Sequence, residues 1–249
     1  MRKTILITGA SSGLGAEMAR QFAALGHDLA LCARRTEKLE ELREEIHAAS
    51  PGARVEIRAL DVTDDDQVFA VFRAFQADFG TIDRVVVNAG LGKGAPLGTG
   101  RYDANRQTAM TNFVAALAQT EAAMEIFRAQ DSGHLVMISS MSAVRGMPKT
   151  LTTYAATKAG VAHLAEGLRA ELHGSPIKVT VLYPGYIRSE MNEKVAQSTP
   201  LMASTEKGVR AMVDAIEKEK ASAHVPALPW APMSVVMRHA PIPLLRKLI

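Results

Sequence analysis

The stretch TYAATKAG places a phenol, Tyr154, and an amine, Lys158, four residues apart beside small side chains. Residues at i and i+4 meet on any helix, so the spacing is a weak signal by itself. Its chemistry is specific. A free phenol ionises near ~10, and an ammonium one turn away favours the phenolate, so the pair can hold and release a proton near neutral pH. In a carbonyl reduction Tyr154 would protonate the oxygen as hydride reaches the carbon. A serine hydroxyl would hold that oxygen, and ISSMS just upstream offers Ser140, with Ser142 as its rival.

Proton chemistry of this kind needs a hydride carrier, and the amino-terminal turn provides for one. TGASSGLG, Thr8 to Gly15, follows an apolar run and precedes a helical one, with glycines at 9, 13 and 15. The spacing is not GxGxxG, but the physics is similar. Glycines permit the turn and close backbone approach, and a helix start offers free N–H groups and a positive dipole end to a pyrophosphate. Gly9, Ser11, Ser12, Gly13, Leu14 and Gly15 are therefore cofactor-binding candidates. At the end of the second strand, where an acid would take a ribose 2′-hydroxyl, the sequence reads LCARR. Ala33 stands in the acid's place, and Arg34 and Arg35 suit a 2′-phosphate. The expected cofactor is NADP(H).

The elements that must position these residues are legible as an alternation. Strand candidates are TILITG (4–9), DLALCA (28–33), VEIRALD (55–61), IDRVVVNAG (82–90), GHLVMISS (133–140) and KVTVLYPG (178–185). Several are almost continuously apolar, as strands buried on both faces should be. Between them, Leu39, Leu42 and Ile46 share one helical face, and Val68, Val71, Phe72, Phe75 and Phe79 share another after an expected Thr63 cap. The pattern predicts an α/β fold: a doubly wound, mostly parallel sheet of about seven strands with helices on both faces. One domain is expected over residues 1–225, including a substrate loop at 188–205, followed by a proline-rich tail at 226–249. Residues 91–105 and 188–205 read as irregular stretches leaving carboxyl ends of strands, where open α/β sheets bind ligands.

Composition narrows the class. The chain has 249 residues, 47% hydrophobic and 22% charged, with a net charge of +3 and no run of five like charges. That is a folded protein with no electrostatic footprint for nucleic acid. Cys32 is the only cysteine, which excludes an internal disulfide and suits a buried hydrophobe in a reducing, cytoplasmic compartment. The basic start MRK is followed by too short an apolar run for a signal peptide, and no stretch reaches the ~18 apolar residues of a membrane span. No His, Cys and carboxylate spacing suggests a metal; His134, His163 and His173 read as structural or solvated.

Taken in order, TGASSGLG, Asp61-Val62, NAG at 88–90, Asn112, ISS at 138–140, YAATK at 154–158 and PGYIRS at 184–189 resemble the short-chain dehydrogenase/reductase family of Rossmann-fold oxidoreductases. The likeness runs from about residue 3 to 190. It implies Ser140, Tyr154 and Lys158 as the catalytic set, with Asn112 holding a water on the proton path to the lysine. It further implies that Asp61 and Val62 border the adenine, and that Asn88, Ala89 and Gly90 support the strand beside the cofactor. Lys158 would bond the nicotinamide ribose, and Pro184, Gly185, Ile187 and Ser189 would lie against the nicotinamide end. The Ser140 to Tyr154 interval is about one residue longer than the family's usual spacing, which is why Ser142 competes.

The catalytic set does not choose a substrate. Met141, Met147, Met191 and Met202 lie in or beside segments expected to border the pocket and suit an apolar carbonyl or alcohol. The apolar stretch 113–127 fits the family's homodimers and homotetramers. The tail has three readings: a subunit-contact arm, a flap over the substrate pocket, or a peripheral membrane contact through Trp230 and residues 244–249. Against catalysis stands a non-catalytic NADP(H)-sensing regulator with the same fold, which would have no need of the full catalytic set.

Overall fold

The computed structural model describes residues 2–92, 94–190 and 202–243. Seven strands form one parallel sheet: β1 (Thr4–Thr8), β2 (Asp28–Ala33), β3 (Val55–Ala59), β4 (Arg84–Val87), β5 (Gly133–Ile138), β6 (Ile177–Pro184) and β7 (Ser222–Val225). Their order is β3-β2-β1-β4-β5-β6-β7. The order reverses between β1 and β4, which opens a crevice at their carboxyl ends.

Alternation along the strands builds two cores. Ile5, Ile7, Val86, Val136 and Ile138 face α1 (Gly13–Ala24), α2 (Thr36–Ala49) and α7 (Thr205–Glu217). Leu6, Val85, Val87, Leu135 and Met137 face α3 (Asp65–Phe79), α5 (Ala115–Gln130) and α6 (Thr152–Glu171). Each fully buried Ile or Leu contributes roughly 1.5–3 kcal/mol over its exposed state, so this register is strongly specified. Cys32 lies in the second of these cores, with Leu6 and Val85, where burial pushes its thiol far above the ordinary value.

Several local expectations need correction. The seventh strand, β7, was not among the six runs recognised in the sequence: it is four residues long and only Val225 is buried, as an edge strand permits. Ser139 and Ser140 fall beyond β5, and the 91–105 stretch ends in α4, which opens at Tyr102 and runs to Ala109. Thr63 does not cap α3; Asp64 does, its side chain accepting from the Gln67 N–H at 3.0 Å. Thr63 instead donates both its N–H and its hydroxyl to Asp61.

The tail is helical despite its prolines, as α8 (Ala227–His239). Leu228 is non-helical, so Pro232 falls at the edge of the first regular turn and forfeits at most a bond to the Leu228 carbonyl. Residues 244–249, on which the membrane reading partly rests, lie outside the described residues.

At the amino ends of the strands, away from the crevice, a polar network ties β4, β5 and β6 together. Buried Arg84 donates its Nε–H to His134 Nδ1 at 2.9 Å. The proton of His134 therefore sits on Nε2, which donates to Thr180 at 2.8 Å, and Thr180 donates in turn to the Lys220 carbonyl at 2.7 Å. Arg84 also pairs with Glu217. Burial first, then the Arg84 charge, pushes His134 down to about 2. Below ~6.5 the unfolded chain thus takes a proton that the folded chain refuses, and stability falls as pH falls. We expect a loss on the order of 2 kcal/mol between pH ~6.5 and ~4 from this residue, read by urea unfolding. His134→Gln should flatten that slope; equal slopes in both proteins would refute the assignment.

Candidate active site

The glycine turn is fixed from β4. Asn88 donates its side-chain amide to the carbonyls of Thr8 (2.9 Å) and Gly9 (3.3 Å), while the Thr8 hydroxyl accepts from the N–H groups of Asn88 and Ala89. Gly9 and Gly13 have φ of 65° and 56°, the left-handed region. Gly15 is required for a different reason: a Cβ there would lie 2.4 Å from the Gly9 carbonyl oxygen. Ser12 makes no side-chain cap on α1, and the first turn holds no acid, so its N–H groups and positive dipole end remain for an anion.

Beyond β2, the Arg35 guanidinium donates to Ser12 Oγ (2.7 Å), to Ser11 Oγ (3.3 Å) and to both carboxylate oxygens of Glu190 (3.0 Å each). Arg34 is exposed, and its charge reaches Asp61. Asp61 is pushed up by burial, but the two Thr63 hydrogen bonds and Arg34 outweigh that and hold it below its ordinary value.

The proton-handling groups stand on α6 and on the turn after β5. Ser140 caps the short 3₁₀ turn Met141–Val144 by accepting from Ser142 N–H at 3.1 Å. The Ser140 hydroxyl acts on the Tyr154 phenol, favouring its ionised form, and both line the cleft, whereas Ser142 is not part of the cleft wall. Lys158 is buried and donates to the Ile138 carbonyl at 2.9 Å, while Ser139 Oγ donates to the Lys158 carbonyl at 2.7 Å. Burial pushes the Lys158 amine down to about 8.

The expectation that Lys158 draws the Tyr154 phenol down is not met in this arrangement. Burial raises the phenol above its ordinary value, the Ser140 hydroxyl acts against that, and Tyr186 adds to the rise. Burial is the larger influence, and the lysine head is engaged by the Ile138 carbonyl.

Asn112 lies in a single π turn, Met110–Val114, between α4 and α5, a distortion frequent at functional sites. Its amide donates to the Leu91 carbonyl (2.8 Å) and accepts from the Leu91 N–H (2.7 Å). A Cβ at Gly90 would sit 3.2 Å from Asn112 Oδ1 and 3.4 Å from Lys158 Nζ, so the glycine lets both polar groups come close to its backbone. Gly160 lets α6 close on the same turn: a Cβ there would lie 2.8 Å from the Phe113 ring.

One cleft of about 650 Å³ at the carboxyl ends of the strands joins these parts. It gathers Gly9, Ser11, Ser12, Gly13, Leu14, Arg34, Arg35, Asp61, Val62, Asn88, Ala89, Gly90, Ser140, Tyr154, Lys158, Pro184, Gly185, Ile187 and Ser189. Gly15 and Asn112 stand behind its wall and support it. The sequence reading did not assign Leu60, Leu91, Gly92, Thr111, Ile138, Ser139 and Glu190, which also line it; Ile138 and Ser139 lie within the ISS motif, and the others lie in no chemical motif that spacing could single out. Met141, Met147 and Met202 do not line this cleft and so lend the apolar-substrate reading no support, and Met191 lies outside the described residues. Among the described residues no group of three or more His, Cys, Asp or Glu could hold a metal.

The tail packs behind Gly185, which lines the cleft. Trp230 is buried over Gly185, where a Cβ would come within 2.1 Å of the indole, and it meets Tyr186 edge-on at 5.5 Å. Arg145, in the loop between Ser140 and Tyr154, donates to the carbonyls of Met237 (3.3 Å), Arg238 (3.0 Å) and Ala240 (2.5 Å) at the end of α8. A cation on orphan carbonyls at a helix carboxyl end is a favourable cap.

A doubly wound sheet with a glycine turn, an uncapped helix start and a serine, tyrosine and lysine in one crevice defines a dinucleotide-dependent oxidoreductase. The chain belongs to the short chain dehydrogenase family, whose model matches residues 3–200. It is 54% identical over 246 residues to an uncharacterized oxidoreductase of Mycobacterium tuberculosis strain H37Rv, covering 99% of this chain and 97% of that one. Its fold is similar to a short chain dehydrogenase/reductase from Burkholderia phymatum in complex with NAD, with a TM-score of 0.86 and 23% identity over 97% of this chain and 94% of that one. It is also similar to an alcohol dehydrogenase from Thermococcus sibiricus complexed with 5-hydroxy-NADP, with a TM-score of 0.78 and 24% identity over 89% and 95%. A nicotinamide dinucleotide fits the residues present: the turn, the uncapped α1 start and the arginine pair supply an anion cradle in a cleft of suitable size. No described helix is long and apolar enough to cross a membrane.

Proposed function

We propose that the protein interconverts a carbonyl and a secondary alcohol with NADP(H), using Tyr154 as acid and base. The observation that carries this reading is the convergence of the Ser140 hydroxyl, the Tyr154 phenol and the Lys158 amine in the cleft onto which the glycine turn opens. Bound there, the nicotinamide supplies or accepts hydride. Ser140 holds the carbonyl oxygen, and Tyr154 gives it a proton. Burial that raises the phenol keeps it protonated at neutral pH, the form reduction requires. Lys158, aimed by the Ile138 carbonyl, contributes positive charge to the same wall, and Asn112 holds the Leu91 backbone in register with it.

Arg34 and Arg35, with no acid at position 33, favour the 2′-phosphate and hence NADP(H). Leu91, Pro184 and Ile187 give the substrate end an apolar wall. Residues 1–225 form the catalytic unit, and α8 serves it as a flap. Val114 and Leu117, each 38% exposed on α5 and the turn before it, suit a homo-oligomer contact. The single buried Cys32 suits the cytoplasm.

A panel of apolar and polar ketones assayed for NADPH and NADH oxidation tests the reading. Turnover of apolar ketones at least tenfold faster with NADPH is the expected result. Nucleotide binding with no turnover of any carbonyl would return the protein to the class of sensing regulators.

A further inference from the structure

The donors that NADP(H) needs for its 2′-phosphate already hold an anion from the chain itself. Glu190, just beyond the cofactor-facing segment Pro184–Ser189, places both carboxylate oxygens 3.0 Å from the Arg35 guanidinium fork, and the Ser12 hydroxyl bonds the same carboxylate. Arg35 simultaneously bonds Ser11 and Ser12 on the glycine turn, so fork, hydroxyls and carboxylate form one knot at the cleft mouth. A planar carboxylate on a guanidinium fork and a serine hydroxyl uses the bonds a phosphate would use.

We infer that Glu190 is a cofactor-specificity residue: an internal competitor that occupies the Arg35 and Ser12 donors and is displaced by the 2′-phosphate of NADP(H). This inference rests on the NADP(H) reading. NAD(H), lacking that phosphate, has no call on Arg35, so the competition bears on one cofactor and not the other. The Arg35 guanidinium holds the carboxylate down to about 2, so it competes as an anion at neutral pH. Both partners are exposed, with side-chain accessibilities of 43% and 57%. Exposed pairs are weak, so the expected effect is about fivefold, near the upper end for such a contact.

The test is calorimetric titration of the full chain with NADP⁺ and with NAD⁺, read as affinity and independent of turnover. Glu190→Gln should bind NADP⁺ about fivefold tighter, with NAD⁺ changed less than twofold, and should have no effect when added to Arg35→Ala. NADP⁺ binding unchanged or weakened by Glu190→Gln would overturn the competitor role, weakening being the mark of a clamp. Equal tightening for both nucleotides would overturn it too, pointing to general charge repulsion. Arg35→Ala alone separates the two claims. If it loosens NADP⁺ selectively while Glu190→Gln does nothing, only the competitor fails; if it leaves NADP⁺ unchanged, the NADP(H) reading fails and takes the inference with it. Thermal melts of each variant confirm that the folded chain is being titrated.

Discussion

Tyr154→Phe should lower kcat for carbonyl reduction by about a thousandfold while leaving nucleotide affinity within twofold of the parent. The substitution removes one oxygen from the wall of the cleft and nothing from the fold, because the ring keeps its packing on α6. The Ser140 hydroxyl stays anchored through the Ser142 N–H. Acid–base catalysis by a positioned group typically supplies 10²–10⁴-fold, and burial keeps this phenol protonated, able to deliver a proton at neutral pH. Steady-state kinetics with the best ketone from the panel, beside a nucleotide titration, reads both quantities. A variant as fast as the parent would end the proposed mechanism.

The second large effect belongs to Lys158 and is visible in pH. In the free enzyme its amine titrates at about 8, lowered by burial, so it is charged below that value and neutral above it. Tyr154 is raised above its ordinary value and remains protonated through the same range, so it cannot be the group that titrates there. For reduction, kcat/KM should therefore hold steady below pH ~8 and fall above it as the lysine loses its charge, since this ratio reports groups of the free enzyme. Lys158→Met should lose roughly 10²–10⁴-fold across the range and lack that falling limb. Stopped mixing at pH values on both sides of 8 checks the shape. A parent profile flat to pH ~10 would show that the charge on Lys158 is not needed for the chemistry.

The paired expectation of phenol and ammonium shows how far a motif reaches. Spacing on a helix placed Tyr154 and Lys158 on one face, and the structure puts both in the cleft wall. The electrostatic consequence drawn from that spacing did not follow, because it depends on what else lies within hydrogen-bonding reach. The Ile138 carbonyl, from a strand twenty residues away, takes the lysine head. Ser140, from the turn after the same strand, acts on the phenol.

The same division holds elsewhere. The sequence by itself determined the sheet, since continuous apolar runs must be buried on both faces, and the glycine turn, since a Cβ would lie 2.9 Å from the Ala89 Cα at Gly9, where φ of 65° already favours glycine, and 2.4 Å from a carbonyl oxygen at Gly15. Periodicity and backbone sterics are local properties, readable along the chain. Tertiary structure decided the bond of Asn112 to Leu91, the capture of Arg35 by Glu190 across 155 residues, and the seating of Trp230 over Gly185. Each joins residues distant in the chain through one or two contacts. Such contacts leave no repeating pattern, so only the folded geometry reveals them.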